Sequence, residues 1–455
     1  MIHKLQRVQY SMNIQYDMQI IRKSFKGRYK NHQKVTSKNE IEWLFELLAQ
    51  NKIPMSLYAS GFNHEGQLLA ASNKKVATED GIFQCISPPL KMNIDPRSIV
   101  SFSIGFSHCA YVTKAGRAYA AGDDEEFQIG TLYRKKYDQA TEVKFPGVYD
   151  KFVSVQCGMI YTMYMTEKGT LIYCHQNSDD KKPAIHRLET KVVYISGGSD
   201  RAVAIDENGD IFIFSADNPN VSPTRVHLNE AVFDVYCGDD FVVAISLSGK
   251  LYASGSLNPL IKQSSKDAIT KFIEISSMRG NKFARVSANC AHCVAITEDG
   301  RVFTAGSNDS GQLGIGVCDE SIEFIQIVSI EPNRALSAAA GIDHSLIVTT
   351  EGKLLSCGHN DVGQLMLDTI SDDVFRPKQT NNISGKVTQA WAGTGTSVVL
   401  TDMESLIHRG RQYFLGDDPH EDEVRNLRYE IETLKETIRQ LQEENENLKK
   451  QLANK

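Results

Sequence analysis

A glycine-opened turn followed by a short apolar run recurs seven times along the chain, and this recurrence limits the fold more than any other feature. The copies are G-F-S-H-C-A-Y-V from Gly105, G-M-I-Y-T-M-Y-M from Gly158, G-S-D-R-A-V-A-I from Gly198 and G-D-D-F-V-V-A-I from Gly238. They continue with N-C-A-H-C-V-A-I from Asn289, G-I-D-H-S-L-I-V from Gly341 and G-T-G-T-S-V-V-L from Gly393, so successive copies start 53, 40, 40, 51, 52 and 52 residues apart. A period in this range marks a protein built by stacking one supersecondary unit. After glycine, asparagine best tolerates positive φ, so Asn289 predicts a left-handed backbone at this place in every copy.

A second glycine follows at Gly116, Gly169, Gly209, Gly249, Gly300 and Gly352. Six residues later stand Gly122, Gly255, Gly306 and Gly358, with His175 and Ser215 in two abbreviated units. The runs between them (CAYVT, DIFIF, CVAIT, RVFTA, SLIVT) are short and rich in β-branched and aromatic residues, which is the strand signature. Each unit therefore supplies four short strands. A lone four-stranded sheet cannot bury both faces, and seven of them around an axis make a seven-bladed β-propeller. The fold class is all-β, with the propeller spanning 53–416.

Units three and four are read as degenerate, because they lack a Gly-Gln-Leu-Gly turn. About nine extra residues between Ala70 and Ile99 are read as a surface loop. LYASG (57–61) repeats the third-strand pattern ahead of the first full unit, and SLIHRG (405–410) repeats it after the last. Ends that overlap in register suit a ring closed by its own termini, with no open edge strand.

The pattern G-x-x-H-x-x-x-I/V, then D-G-x-V/L-Y/F, then G-x-N-x-x-G-Q-L-G resembles the repeat of the regulator of chromosome condensation family, over roughly residues 55–416. It is most specific in EDGRVFTAGSNDSGQLGIG (298–316) and EGKLLSCGHNDVGQL (351–365). The resemblance implies a seven-bladed propeller in which the recurring histidine is structural. His108, His292 and His344 keep it, while Tyr161, Arg201, Phe241 and Thr396 replace it. It also implies guanine nucleotide exchange on the GTPase Ran, through an acidic residue in the third unit's first turn and a wedge inserted in that unit. Gly198-Ser199-Asp200-Arg201 keeps the acid, so Asp200 and Arg201 are the candidates for a partner face. The third unit's connection, taken as NSDDKKPAIHRLET (177–190), is too short for a wedge.

The C-terminal segment reads as a parallel dimeric coiled coil over 419–455. Val424, Ile431, Ile438, Asn445 and Leu452 fall at a, and Leu427, Leu434, Leu441 and Leu448 at d. β-Branched a residues with leucine at d favour two parallel strands, and one buried Asn fixes register. Glu423, Glu430 and Glu444 at g match Arg428, Lys435 and Lys449 at e. At the other end, 1–52 is a basic extension with a short helix at 40–51. RKSFKGRYK (22–30) is its basic arm, read first as a solvated extension and as the one stretch that could contact nucleic acid.

Composition excludes other classes. The net charge of −6 is too mild and too negative for general nucleic-acid binding. No apolar run reaches membrane-spanning length. Nine cysteines, scattered and odd in number, argue for a reducing compartment rather than a disulfide framework. No phosphate loop, metalloprotease motif or nucleophile elbow occurs, and the single CxxC (Cys290, Cys293) lies at a strand. No cofactor and no metal are expected. These features predict a non-enzymatic protein-interaction propeller, homodimerised by its zipper, whose face takes a protein such as a small GTPase. Exchange activity on a Ran-type GTPase is the alternative. The location expected is cytoplasmic, with the basic arm leaving the nucleus open.

Overall fold

The structure, a computed structural model, describes residues 55–402 apart from 79–80, 126, 132–134, 176–181, 200, 216–217, 258–267 and 369. Seven antiparallel sheets follow one another along them. Blades 1 to 6 span 99–143, 152–186, 192–226, 232–274, 283–326 and 335–379, each a four-stranded meander. The inner strands contact one another in order, and that of blade 7 returns to that of blade 1.

Both faces of a blade are covered by its neighbours, so its second strand shows none of the alternation of a half-exposed sheet. His292–Thr297 and Phe241–Ser246 are buried at every position. Phe152, Val155 and Tyr164 of blade 2 pack on Ile129, Val143 and Phe145 of blade 1, and similar clusters fill the other interfaces. Among the largest fully buried side chains are Tyr161, Tyr164, Tyr173, Phe214, Phe241 and Phe283. Side chains of this size stabilise by roughly 1.5–3 kcal/mol each on burial.

Blade 7 closes the ring with both ends of the described chain. Its inner and second strands are Lys386–Ala392 and Thr396–Asp402, and its third is Ser56–Phe62, pairing Leu57 with Leu400 and Gly61 with Thr396. LYASG thus serves as a third strand, as expected. SLIHRG, the zipper residues Val424 to Leu452, the basic arm and the 40–51 segment lie outside the described residues.

Three expectations change. The extra residues after Ala70 form a hairpin, Lys74–Thr78 with Gly81–Lys91, which gives blade 7 fourth and fifth strands. The shortened units are blades 2 and 3, whose strands run only from 152 to 186 and from 192 to 226, while blade 4 is longer yet keeps a degenerate outer strand, Ile273–Glu274. The 177–190 stretch therefore belongs to blade 2 and its exit, and blade 3 has its own short connection at 214–223.

Candidate protein-interaction face

The turns joining inner to second strands, together with the third-to-outer connections, form one face of the ring, here the turn face. Gly105, Gly158, Gly198, Gly238, Gly341 and Gly393 all lie on it. None of these six glycines has φ in the left-handed range, and Asn289 ends an ordinary inner strand, with Cys290 taking φ 41° instead. Asn289 therefore does not report a left-handed turn shared by the copies. The demand on the aligned glycines is steric. A Cβ on Gly105 would lie 2.1 Å from the Gly158 oxygen, one on Gly198 2.0 Å from the Cys237 oxygen, and one on Gly393 2.4 Å from the Gly105 oxygen. Each turn rests on the next, and the seventh on the first.

The histidine three residues on fastens neighbouring blades. His108 Nε2 lies 2.8 Å from Thr162 Oγ1, His292 Nε2 2.9 Å from Ser345 Oγ, and His344 Nε2 2.9 Å from Ser397 Oγ. Ser345 donates its hydroxyl proton to the Gln312 carbonyl (2.8 Å) and Ser397 donates to that of Gln364 (2.6 Å). With those protons committed, His292 and His344 are the donors in their own contacts. The histidine and the Gly-Gln-Leu turn of one blade thus grip a single hydroxyl of the next. Asn308 and Asn360 shape these turns, their Oδ1 accepting from the N–H of Leu313 and Leu365. Burial pushes His108 and His292 down to about 4 and His344 to about 3, so all three are neutral.

Where histidine is replaced, the fastening changes. The Tyr161 hydroxyl reaches the Gly198 and Arg201 carbonyls, at 3.1 and 2.8 Å. Arg201, proposed from sequence as a partner contact, is half-buried and anchors its neighbours through its carbonyl, which also takes the Cys237 thiol at 3.1 Å. Asp200 lies outside the described residues.

The variable residues between the glycine and the histidine are what the face displays. One sector is apolar. Phe106 is 40% exposed and stacks on Phe62 at 5.9 Å, and Phe83 and His64 complete the group. Met159 and Ile160 continue it, half-buried. An acidic sector lies on blades 4 and 6, with Asp239, Asp240 and Asp343. Asp239 accepts from the Cys290 thiol at 3.1 Å, and Asp240 from Ser256 at 2.8 Å. At its edge His359 lies 2.7 Å from Asp373 and 3.2 Å from Asp361. Hydrogen bonds to Asp361, and then Asp373, raise it to about 9. The sequence reading singled out the fixed glycine and histidine and missed these displayed residues. The two unaligned positions of each G-x-x-H turn were the available signal.

Among the described residues no three His, Cys, Asp or Glu side chains are placed to hold a metal, and no helix is long and apolar enough to cross a membrane. All nine cysteines are free thiols.

A closed ring of seven blades, fastened at the axis and variable at its turns, defines a propeller-type repeat protein. Models of the regulator of chromosome condensation (RCC1) repeat match residues 283–312, 337–364 and 299–348. E3 ubiquitin-protein ligase HERC2 of Homo sapiens is 26% identical over 338 residues, covering 68% of this chain. The match spans only 7% of the ligase's own length. Secretion-regulating guanine nucleotide exchange factor of Bos taurus is 25% identical over 406 residues, 77% of this chain and 84% of that protein. The crystal structure of Prp20p from Saccharomyces cerevisiae superposes with a TM-score of 0.63 at 16% identity, over 79% of this chain and 95% of that one. At that identity the likeness speaks for the fold alone.

Proposed function

We propose that the chain is a non-enzymatic, homodimeric interaction propeller that regulates a small GTPase through its turn face. One observation carries this reading. The repeated histidines are consumed in bonds between blades, while the residues between glycine and histidine vary from turn to turn and, Ser107 and Ser199 apart, those described stay at least partly accessible. That is a rigid ring displaying a recognition surface, with an aromatic patch suited to anchoring and an acidic sector suited to steering. The GTPase class is supported by the bovine exchange factor, which aligns along most of both chains. The same relative favours the second reading, exchange on a Ran-type GTPase with Asp200 on the working face. Blade 3 has only a short connection to offer as a wedge, so regulation without exchange is preferred. We assign the protein to the cytoplasm.

The test is titration of the full-length protein against a panel of GDP-loaded and nucleotide-free small GTPases. Saturable binding to one of them, weakened about tenfold or more by Phe106→Ala or by Asp239→Asn with Asp240→Asn, is expected, since such anchors typically contribute more than 1 kcal/mol. Binding that ignores both changes contradicts the assignment to this face.

A further inference from the structure

We propose that residues 39–52 of this chain dock over the mouth of the axial channel on the face opposite the turns. The inner strands begin on that face, and the residue at the head of each is basic in five blades: Lys151, Lys191, Lys282, Arg334 and Lys386. The first four are exposed and form no ion pair among the described residues. Two residues further along, four of the seven strands leave an aliphatic side chain open. Val153 is 36% and Leu336 45% exposed, with Val100 and Val193 half-buried, while Phe233, Ala284 and Thr388 hold this position in the other three. Neighbouring blades cover both faces of every sheet, so what an inner strand leaves open looks onto the axis. Aliphatic side chains of blades 1, 2, 3 and 6 thus lie inside a cationic rim. Glu167, Glu207 and Glu298 stand one strand further out, their N–H groups bonded to the carbonyls of Lys151, Lys191 and Lys282.

Such a surface fits an amphipathic segment that carries carboxylates beside its apolar side. NEIEWLFELLAQNK (39–52) has Ile41, Leu44, Phe45 and Leu48 at helical spacing, with Glu40 and Glu42 flanking them and Glu46 further round. Its attachment point is close to the rim. Ser56 pairs with Thr401, and Lys386 pairs with Asp402, so the first residue of the closing strand lies two strands out from Lys386. Two strand spacings are about 10 Å, and the three residues 53–55 span about 10 Å when extended. The segment therefore reaches the rim without a long linker. Docking here leaves the turn face clear, and it does not depend on which partner that face takes.

The chain has two tryptophans, Trp43 in the segment and Trp391 on the inner strand of blade 7. Trp43 falls on the side of the helix away from its apolar face, so in full-length protein carrying Trp43→Phe, Trp391→Phe and Phe45→Trp the indole at position 45 is expected to emit in the blue and to resist acrylamide. Glu40→Gln with Glu42→Gln and Glu46→Gln, or reversal of Lys151, Lys191, Lys282 and Arg334 to Glu, should shift emission to the red and raise quenching several-fold. The glutamate variant touches no residue of the ring, so its melting midpoint should hold and loss of fold cannot mimic the result. If that variant fails to fold, the difference between Phe45→Trp and the unaltered chain gives the same signal. Free quenching of the indole at position 45 overturns the proposal. So does shielding that survives both sets of charge changes, since it places the segment elsewhere or on a second copy.

Discussion

The carbonyl oxygen of Gly105 lies 2.4 Å from where a Cβ on Gly393 would stand, so the first and seventh turns meet as closely as consecutive ones. This contact predicts which glycines the ring cannot lose. Gly198→Ala would set a methyl 2.0 Å from the Cys237 oxygen, and relief requires the turn of blade 4 to move. Overpacking of this kind costs about 1–3 kcal/mol. Gly280 has φ 90° with nothing within 4 Å of its Cβ direction, so it is constrained by backbone angle alone. Gly280→Asn should cost about 1 kcal/mol or less, while Gly198→Asn should cost at least as much as Gly198→Ala. Denaturant titration of the three variants separates the two demands.

Acid should loosen the blade interfaces through the buried histidines. Their folded pKa values, about 4 for His108 and His292 and about 3 for His344, lie below the ordinary value near 6.5. The unfolded chain therefore takes up protons first. Their contribution to stability is complete above pH 6.5 and is lost as pH falls toward 4 and 3, at roughly 3 kcal/mol each for His108 and His292 and about 5 kcal/mol for His344. His344→Gln should lower stability at pH 7 and flatten the slope between pH 6.5 and 4. An unchanged slope would mean that the imidazole is not held neutral.

His359 should act in the opposite direction. Its pKa is raised to about 9, so its contribution is complete below 6.5 and lost as pH rises through 9. His359→Ala should flatten the alkaline limb of the stability profile, and it should also weaken the acid limb because the hydrogen bond from His359 helps hold Asp361 low.

Ring closure by the N-terminal strand predicts a global effect. Deleting 55–61 removes the third strand of blade 7 and strips the pairing from both Thr396–Asp402 and Gly81–Lys91. The whole melting transition should move down, because two edges open at once. A transition at the original temperature would show that the ring closes without this strand.

The zipper makes a separable prediction. Truncation after Asp418 should convert a dimer to a monomer in light scattering, with the propeller melt unchanged. Asn445→Leu should raise the stability of the coiled coil and broaden its oligomeric state, since a buried a-position Asn selects dimers at a cost in stability.

Much of this architecture was legible in the sequence, for reasons specific to particular residues. The glycine period fixed the blade count, and LYASG identified the closing strand, because both are dictated by local backbone needs. The hairpin after Ala70 was not legible. KKVAT is a solvated edge strand with little apolar pattern, and its pairing with Gly81–Lys91 is what holds it in a sheet. Asn289 misled because a preference for positive φ and a need for close approach both select glycine, and only the three-dimensional contact separates them. The grip on Thr162, Ser345 and Ser397 was missed although a trace existed. Each hydroxyl stands one residue after the histidine position of the following unit.

Release of labelled GDP from the GTPase that binds the turn face tests the central claim most directly. With catalytic amounts of full-length protein and an Asp200→Ala control, the account predicts stable binding and a release rate within a few-fold of the intrinsic one. Acceleration by orders of magnitude that disappears in the Asp200→Ala protein would contradict it, and would make the chain an exchange factor working through blade 3.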